Sequence, residues 1–181
     1  GPGSVVGHHL INDPRVDMVS FTGGLNTGQT IMKAAVSTVK RLALELGGKN
    51  PHIIFADADI DAAIDNAVTA AFLHSGQVCS AGTRLIVERS IHDGVVKEIV
   101  RRAGQIRLGG PADLTAETGP LISKSHLEGV IKYVEKGIAE GATLLVGGKR
   151  SESSEHANGW YYLPTVLDNC DTKMFCVQDE S

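Results

Sequence analysis

Cys79 lies in the run Gly76-Gln77-Val78-Cys79-Ser80-Ala81-Gly82, between glycines and small residues at the end of an apolar helical stretch. Small neighbours leave a thiol open to a substrate, and its thiolate is a strong nucleophile toward electrophilic carbon. A free thiol is only a few per cent ionised near neutral pH, so it gains from a base nearby. Upstream, in Glu45-Leu46-Gly47-Gly48-Lys49-Asn50-Pro51, a carboxylate closes an apolar strand and two glycines let the backbone turn sharply. Glu45 is the candidate base and Cys79 the candidate nucleophile. Without that context a lone cysteine is ordinarily a small buried hydrophobe. A strand-end glutamate such as Glu45 would ordinarily form a surface ion pair, here with Lys49 or Arg41.

A third run, Phe21-Thr22-Gly23-Gly24-Leu25-Asn26-Thr27-Gly28, follows a short apolar strand over residues 17–21 and opens a helical pattern through Ile31, Met32, Ala35 and Val36. Strand, glycine turn and helix together present backbone N–H groups and a partial positive charge, which can hold a pyrophosphate. The run is not a G-x-G-x-x-G. Lys49 does not complete a Walker loop either, because the upstream glycine is missing.

These residues need elements to carry them. Residues 41–46 read as a strand ending near Glu45, and residues 52–55 as another. Asp59 is a good N-cap for a helix with Ile60, Ala63, Ile64, Ala67, Val68, Ala71 and Phe72 at helical spacing, which delivers Cys79. Residues 84–88 are predicted as a strand. An amphipathic helix through Ile91, Val95, Ile99, Val100, Ala103 and Ile106 is expected to end at Gly109-Gly110-Pro111. A further helix spans about residues 123–140, with Leu127, Val130, Ile131, Val134 and Ile138 on one face. Residues 143–146, 160–163 and 165–167 are extended, and the polar stretch 151–156 is an exposed loop. Alternating strands and helices predict an α/β layered domain.

Composition narrows the partners. With 42% hydrophobic residues in 181, the chain can build a packed core. A net charge of −4 without a clustered basic face argues against nucleic acid or an anionic membrane surface as partner. No run of eighteen apolar residues is present, so no membrane-crossing helix is predicted. Three cysteines cannot all pair, which favours reduced thiols in the cytoplasm, with Cys170 and Cys176 as bystanders. None of the seven histidines falls with a cysteine or carboxylate at ligand spacing, so no metal is assigned. His74, leading into the Cys79 run, reads as a solvated or capping histidine. The start Gly1-Pro2-Gly3-Ser4 reads either as a protease-cleavage scar or as native sequence.

The Glu45–Lys49 and Gly76–Cys79 runs, at this separation, resemble the two active-site signatures of the NAD(P)-dependent aldehyde dehydrogenase superfamily. The Phe21–Gly28 run is similar to its dinucleotide-loop signature. Gln178-Asp179-Glu180 looks like the acidic pair opening its Glu-Glu-hydrophobic-Phe-Gly-Pro motif. The resemblance covers essentially the whole chain and implies a three-layer α/β catalytic domain, residues 47–181, preceded by the last part of a Rossmann-like NAD(P)-binding domain, residues 1–46. It implies an excised piece of a longer enzyme, truncated within the catalytic domain.

The same resemblance assigns roles. Cys79 attacks an aldehyde and Glu45 activates the water that hydrolyses the resulting thioester. Gly23, Gly24 and Gly28 line the pyrophosphate side of NAD or NADP, Leu46 faces the nicotinamide through its backbone, and Glu180 contacts the nicotinamide ribose. Many relatives carry serine where this chain has Gly24, so only backbone donors remain there. The Cys79 N–H is one oxyanion donor; the family's other donor, an asparagine, lies outside this chain, as do the groups that grip the adenosine ribose. The piece alone is therefore expected to be inactive. Glu45 favours hydrolysis over capture by coenzyme A. Within the family, the two active-site runs look most like betaine-aldehyde and similar amino-aldehyde dehydrogenases. A semialdehyde dehydrogenase of the same superfamily and a non-catalytic folded module are the alternatives. The implied parent is a cytoplasmic homodimer or homotetramer.

Overall fold

The structure, a computed structural model, describes residues 1–180 and divides into two compact units, Gly1–Gly47 and Gly48–Ser181. In the first unit, helix α1 (Gly3–Asn12) precedes the parallel pair β1 (Met18–Gly23) and β2 (Arg41–Leu46), with α2 (Leu25–Ala35) between them. The opening helix has no periodic signal in the sequence. The Pro2 carbonyl starts it by accepting from the N–H groups of Val5 and Val6, both at 3.0 Å. Strand register pairs Thr22 with Glu45 and Gly23 with Leu46, so the glycine turn and the candidate base end the same ladder.

The buried stripe of α2 is Gly28, Ile31 and Ala35. Met32 and Val36, expected on that face, are 52% and 74% exposed. The stripe is narrow because Gly28 leaves Leu46 close to the helix: a Cβ at Gly28 would stand 2.8 Å from Leu46 Cδ2. Between α2 and β2, Val39 turns the chain at φ 52° and Lys40 is buried. The Lys40 Nζ donates to the carbonyls of Asp13 and Val16, each at 2.6 Å, which replaces the lost hydration of its charge.

In the second unit, β3 (Pro51–Ile54) and β4 (Arg84–Val87) pair in parallel with α3 (Ile60–Phe72) as the crossover. Asp59 caps α3 as expected, its carboxylate accepting from Ala62 N–H. Helix α4 (His92–Ala103) buries Val95, Ile99 and Ala103 but stops at Gly104, short of the expected Gly109. Ile106 lies beyond it, where the chain instead forms an isolated bridge between Leu108 and Thr118. Helix α5 (Lys124–Ala139) is capped by Ser123 and buries Leu127, Val134 and Gly137. Ile138 points outward at 39% exposure, because Gly137 takes the inner place against Cys176 and Leu167.

Strand β5 (Thr143–Val146) pairs antiparallel with β6 (Val166–Asp168), and a short α6 (Phe175–Gln178) closes the described chain. Residues 160–163 form only an isolated bridge, Tyr162 to Arg150. Among the described residues the strands pair two by two, and the α/β architecture rests on helices packed against these small sheets. His92 at the start of α4 meets Asp168 of β6 at 3.2 Å, and its hydrogen bonds to Asp93 and Asp168 hold its pKa above the usual value against the effect of burial.

Ile54, Ile64, Ala67, Val95 and Ile99 form the core under β3 and β4. Ile54 is only 2% exposed, so Ile54→Ala leaves a cavity that its neighbours can only partly fill. The substitution should cost about 2–5 kcal/mol in denaturant unfolding. That core fixes the strand from which the next element of the site hangs.

Candidate active site

In the second unit, α3 ends at Phe72, well before Cys79, so the helix does not itself deliver the thiol. A tight segment, Leu73–Gly76, intervenes, with His74 (φ 51°, ψ 35°), Ser75 (φ 60°, ψ 30°) and Gly76 (φ 75°) all left-handed. A non-glycine residue pays about 1–2 kcal/mol for that conformation. Thr118 and Gly119 compensate. Ser75 N–H donates to Thr118 Oγ1 at 2.8 Å, and Ser75 Oγ donates to the Gly119 carbonyl at 2.6 Å. His74, exposed, caps this turn through its carbonyl, which accepts from Gln77 N–H at 3.2 Å.

Cys79 follows in a turn closed by Ala81 N–H to the Val78 carbonyl at 2.9 Å. Its thiol is free and exposed. Gly82 N–H returns to the Ala70 carbonyl at 3.1 Å and ties the turn to α3. From the other side the Asn50 amide donates to the Cys79 carbonyl at 2.7 Å and, more weakly, to that of Ala81 at 3.4 Å. The peptide N–H groups of Cys79 and Ser80 donate to nothing among the described residues. The turn therefore offers an exposed thiol and two N–H groups without an acceptor among the described residues, on a backbone tied down at several points.

In the first unit, Glu45 stands exposed near the end of β2. It has no salt bridge or hydrogen bond through its side chain among the described residues, so the ion pair expected of a surface glutamate is not formed there. Gly24 is the N-cap of α2, and nothing lies within 4 Å of a Cβ built on it. Among the described residues no side chain caps that helix end, which leaves its first N–H groups for an external acceptor. A Cβ on Gly23 would stand 2.5 Å from the tip of the Phe21 ring, so a larger residue there would have to displace that ring. Leu46 is half-buried under Gly28. These residues suit the phosphate side of a dinucleotide through backbone donors, with no side-chain hydroxyl required at position 24.

Glu180 is the remaining cofactor candidate from the sequence. Glu180 is exposed beyond α6, its N–H held by Asp179 Oδ1 at 3.0 Å. Lys49 is half-buried with its ammonium 5.0 Å above the Tyr133 ring, and burial pushes its pKa down. The Tyr133 hydroxyl lies 2.7 and 2.8 Å from the Cys176 and Asp179 carbonyls, which share its single proton and anchor α6, and burial drives its phenol pKa upward. Cys176 is buried. Cys170 is exposed as a residue, yet its sulfur is screened enough that burial pushes its thiol up to about 12.

Sequence reasoning missed Asn50 and Thr118. The Asn50-Pro51 dipeptide was a usable signal, since a residue before proline is held extended and can present its side chain from the start of a strand. Nothing in the sequence marks Thr118. At neutral pH iodoacetamide should alkylate Cys79 first, with Cys170 held protonated and Cys176 enclosed. Peptide mapping over time checks this, and equal slow labelling of all three would indicate an inert module.

The first unit is a parallel-stranded α/β unit with a glycine turn, and the second presents an open thiol on a constrained turn. The profile of the aldehyde dehydrogenase family matches residues 1–181, and the chain belongs to that family. It is 54% identical over 180 residues to a betaine aldehyde dehydrogenase of Bacillus subtilis (strain 168), covering 99% of this chain and 37% of that protein. It also matches a betaine aldehyde dehydrogenase of Staphylococcus aureus solved in complex with NAD+, at 47% identity and TM-score 0.97 over 99% of this chain and 36% of that one. An apo mutant of the same enzyme, solved with a BME-modified cysteine, matches at TM-score 0.96. The chain thus spans about a third of the length of these relatives.

Proposed function

We propose that the chain is part of an NAD(P)-dependent aldehyde dehydrogenase that converts an aldehyde to its carboxylate, with residues 1–46 belonging to the nucleotide-binding domain and residues 47–181 to the catalytic domain. The carrying observation is the open Cys79 thiol on a turn whose own N–H is unengaged, in a chain of this family. Cys79 sulfur adds to the aldehyde carbon, and the Cys79 N–H faces the oxygen as it becomes an oxyanion. NAD or NADP, when bound, would supply the acceptor for the hydride that leaves the carbon attached to the Cys79 sulfur, which leaves a thioester on Cys79. Glu45 removes a proton from the water that attacks the thioester, releasing the carboxylate and the Cys79 thiol.

Gly23, Gly24 and Gly28 serve the pyrophosphate side of the cofactor, Leu46 bears on the nicotinamide through its backbone, and Glu180 takes the nicotinamide ribose. Support comes from the open N-cap at Gly24 and the close packing of Gly28 on Leu46. The bacterial relatives make betaine aldehyde, a trimethylammonium aldehyde, the first substrate to test and NAD+ the first cofactor. We place the whole protein in the cytoplasm as a homodimer or homotetramer. Among the described residues, no helix is long and apolar enough to cross a membrane. A steady-state panel on the protein at full gene length, with betaine aldehyde, ω-amino aldehydes, semialdehydes and simple aliphatic aldehydes, tests the proposal. Aldehyde-dependent NADH or NADPH formation is expected, and its absence across the panel overturns the reading.

A further inference from the structure

Asn50 joins three parts of the second unit. Its carbonyl accepts from Arg84 N–H at 3.1 Å, which fixes it to the start of β4. Pro51 behind it begins β3 and disfavours the helical conformation for Asn50. Its side-chain amide reaches across to the Cys79 carbonyl at 2.7 Å and the Ala81 carbonyl at 3.4 Å. One amide thus joins the edge of a paired strand, whose Ile54 sits in the core, to both ends of the nucleophile turn.

The consequence concerns the other face of that turn. With the Cys79 carbonyl held by Asn50 and the Val78 carbonyl taken by Ala81 N–H, the Cys79 N–H donates to no acceptor among the described residues. A turn free to rotate about its peptide planes could direct this N–H toward water or a backbone carbonyl. We infer that Asn50 is a positioning residue: it fixes the peptide planes around Cys79 so that the Cys79 N–H stays directed at the oxygen of a substrate bonded to the Cys79 sulfur. The inference rests on the aldehyde dehydrogenase reading above and adds a residue whose side chain need not touch substrate.

The sulfur and the N–H make separable demands. Addition to an aldehyde develops negative charge on oxygen and needs the donor, whereas alkylation by iodoacetamide displaces iodide from carbon and builds no oxyanion. Asn50→Leu keeps a similar shape and removes the donor without adding charge; Asn50→Ala is the second variant. In the whole protein, both variants should lower kcat by about tenfold or more with KM within a few-fold, as expected for a misdirected transition-state donor. The rate of Cys79 alkylation should stay within about twofold of the unsubstituted protein, since the donor term that Asn50 controls is absent from that reaction.

An unchanged kcat in both variants overturns the inference, and so does a parallel fall in alkylation and turnover, which would mean that Asn50 merely holds the loop together. Should both variants fail to fold, one test remains in the unsubstituted protein. One Asn50 side-chain amide proton should exchange with solvent more slowly than those of exposed asparagines, and equal exchange overturns the inference. Failure of the proposed activity looks different: the unsubstituted protein itself would then form no reduced cofactor with any aldehyde.

Discussion

Alanine at position 79 should reduce aldehyde-dependent cofactor reduction by the whole protein by on the order of 10⁴-fold or more, the scale seen when a covalent nucleophile is removed. The fold should be unaffected. The Cys79 side chain is exposed, and the bonds that shape its turn run to main-chain atoms: Asn50 to the Cys79 carbonyl and Ala81 N–H to the Val78 carbonyl. Cys79→Ala therefore separates chemistry from folding more cleanly than a core substitution could. Unchanged melting with lost turnover is the expected pair of results. Retained turnover would remove Cys79 from the mechanism, whatever its labelling behaviour.

Glu45→Gln should have the second largest effect, and of a different kind. A general base contributes about 10²–10⁴-fold, and here it acts on the water that cleaves the thioester. The variant should still show a rapid first turnover of reduced cofactor, because the thiohemiacetal and thioester form on Cys79, followed by a steady state slowed by that factor. Hydroxylamine added once the first turnover has used up a limiting amount of aldehyde should cleave the accumulated thioester to a hydroxamate and free Cys79 without help from a base. Glu45 has no ion pair or side-chain hydrogen bond to lose among the described residues, so stability should barely change. Loss of the first turnover as well would assign Glu45 to thiol activation rather than to hydrolysis.

Both experiments need the protein at full gene length, since this chain covers 37% of the Bacillus subtilis relative. The cysteine labelling and the Ile54→Ala measurement need only the chain itself. Together they divide the problem: whether the second unit packs as described, whether its exposed thiol is open, and whether thiol and carboxylate perform successive steps.

Local chemistry was legible without coordinates wherever a residue acts on its sequence neighbours. Asp59 caps α3 because a carboxylate reaches the N–H three residues on, and the period of apolar residues placed α3, α4 and α5. The glycine turn between β1 and α2 was equally visible, and the resemblance that led to the family lay wholly in such short runs. The periodic signal failed where one atom more or less settles a face. Gly28 and Gly137 took inner positions that Met32 and Ile138 were expected to fill or share, since only a residue without Cβ lets Leu46 and Cys176 approach so closely.

What the tertiary structure alone decided is the shape of the nucleophile turn. Three left-handed residues in succession, 74–76, are not favoured by their own sequence; they are held by Thr118 and Gly119, far along the chain. The Asn50 amide reaches Cys79 because the parallel pairing of β3 with β4 brings the two segments together. Hydrogen bonds between distant segments leave no period in the sequence, so the residue types named the chemistry and the packing determined which way it faces.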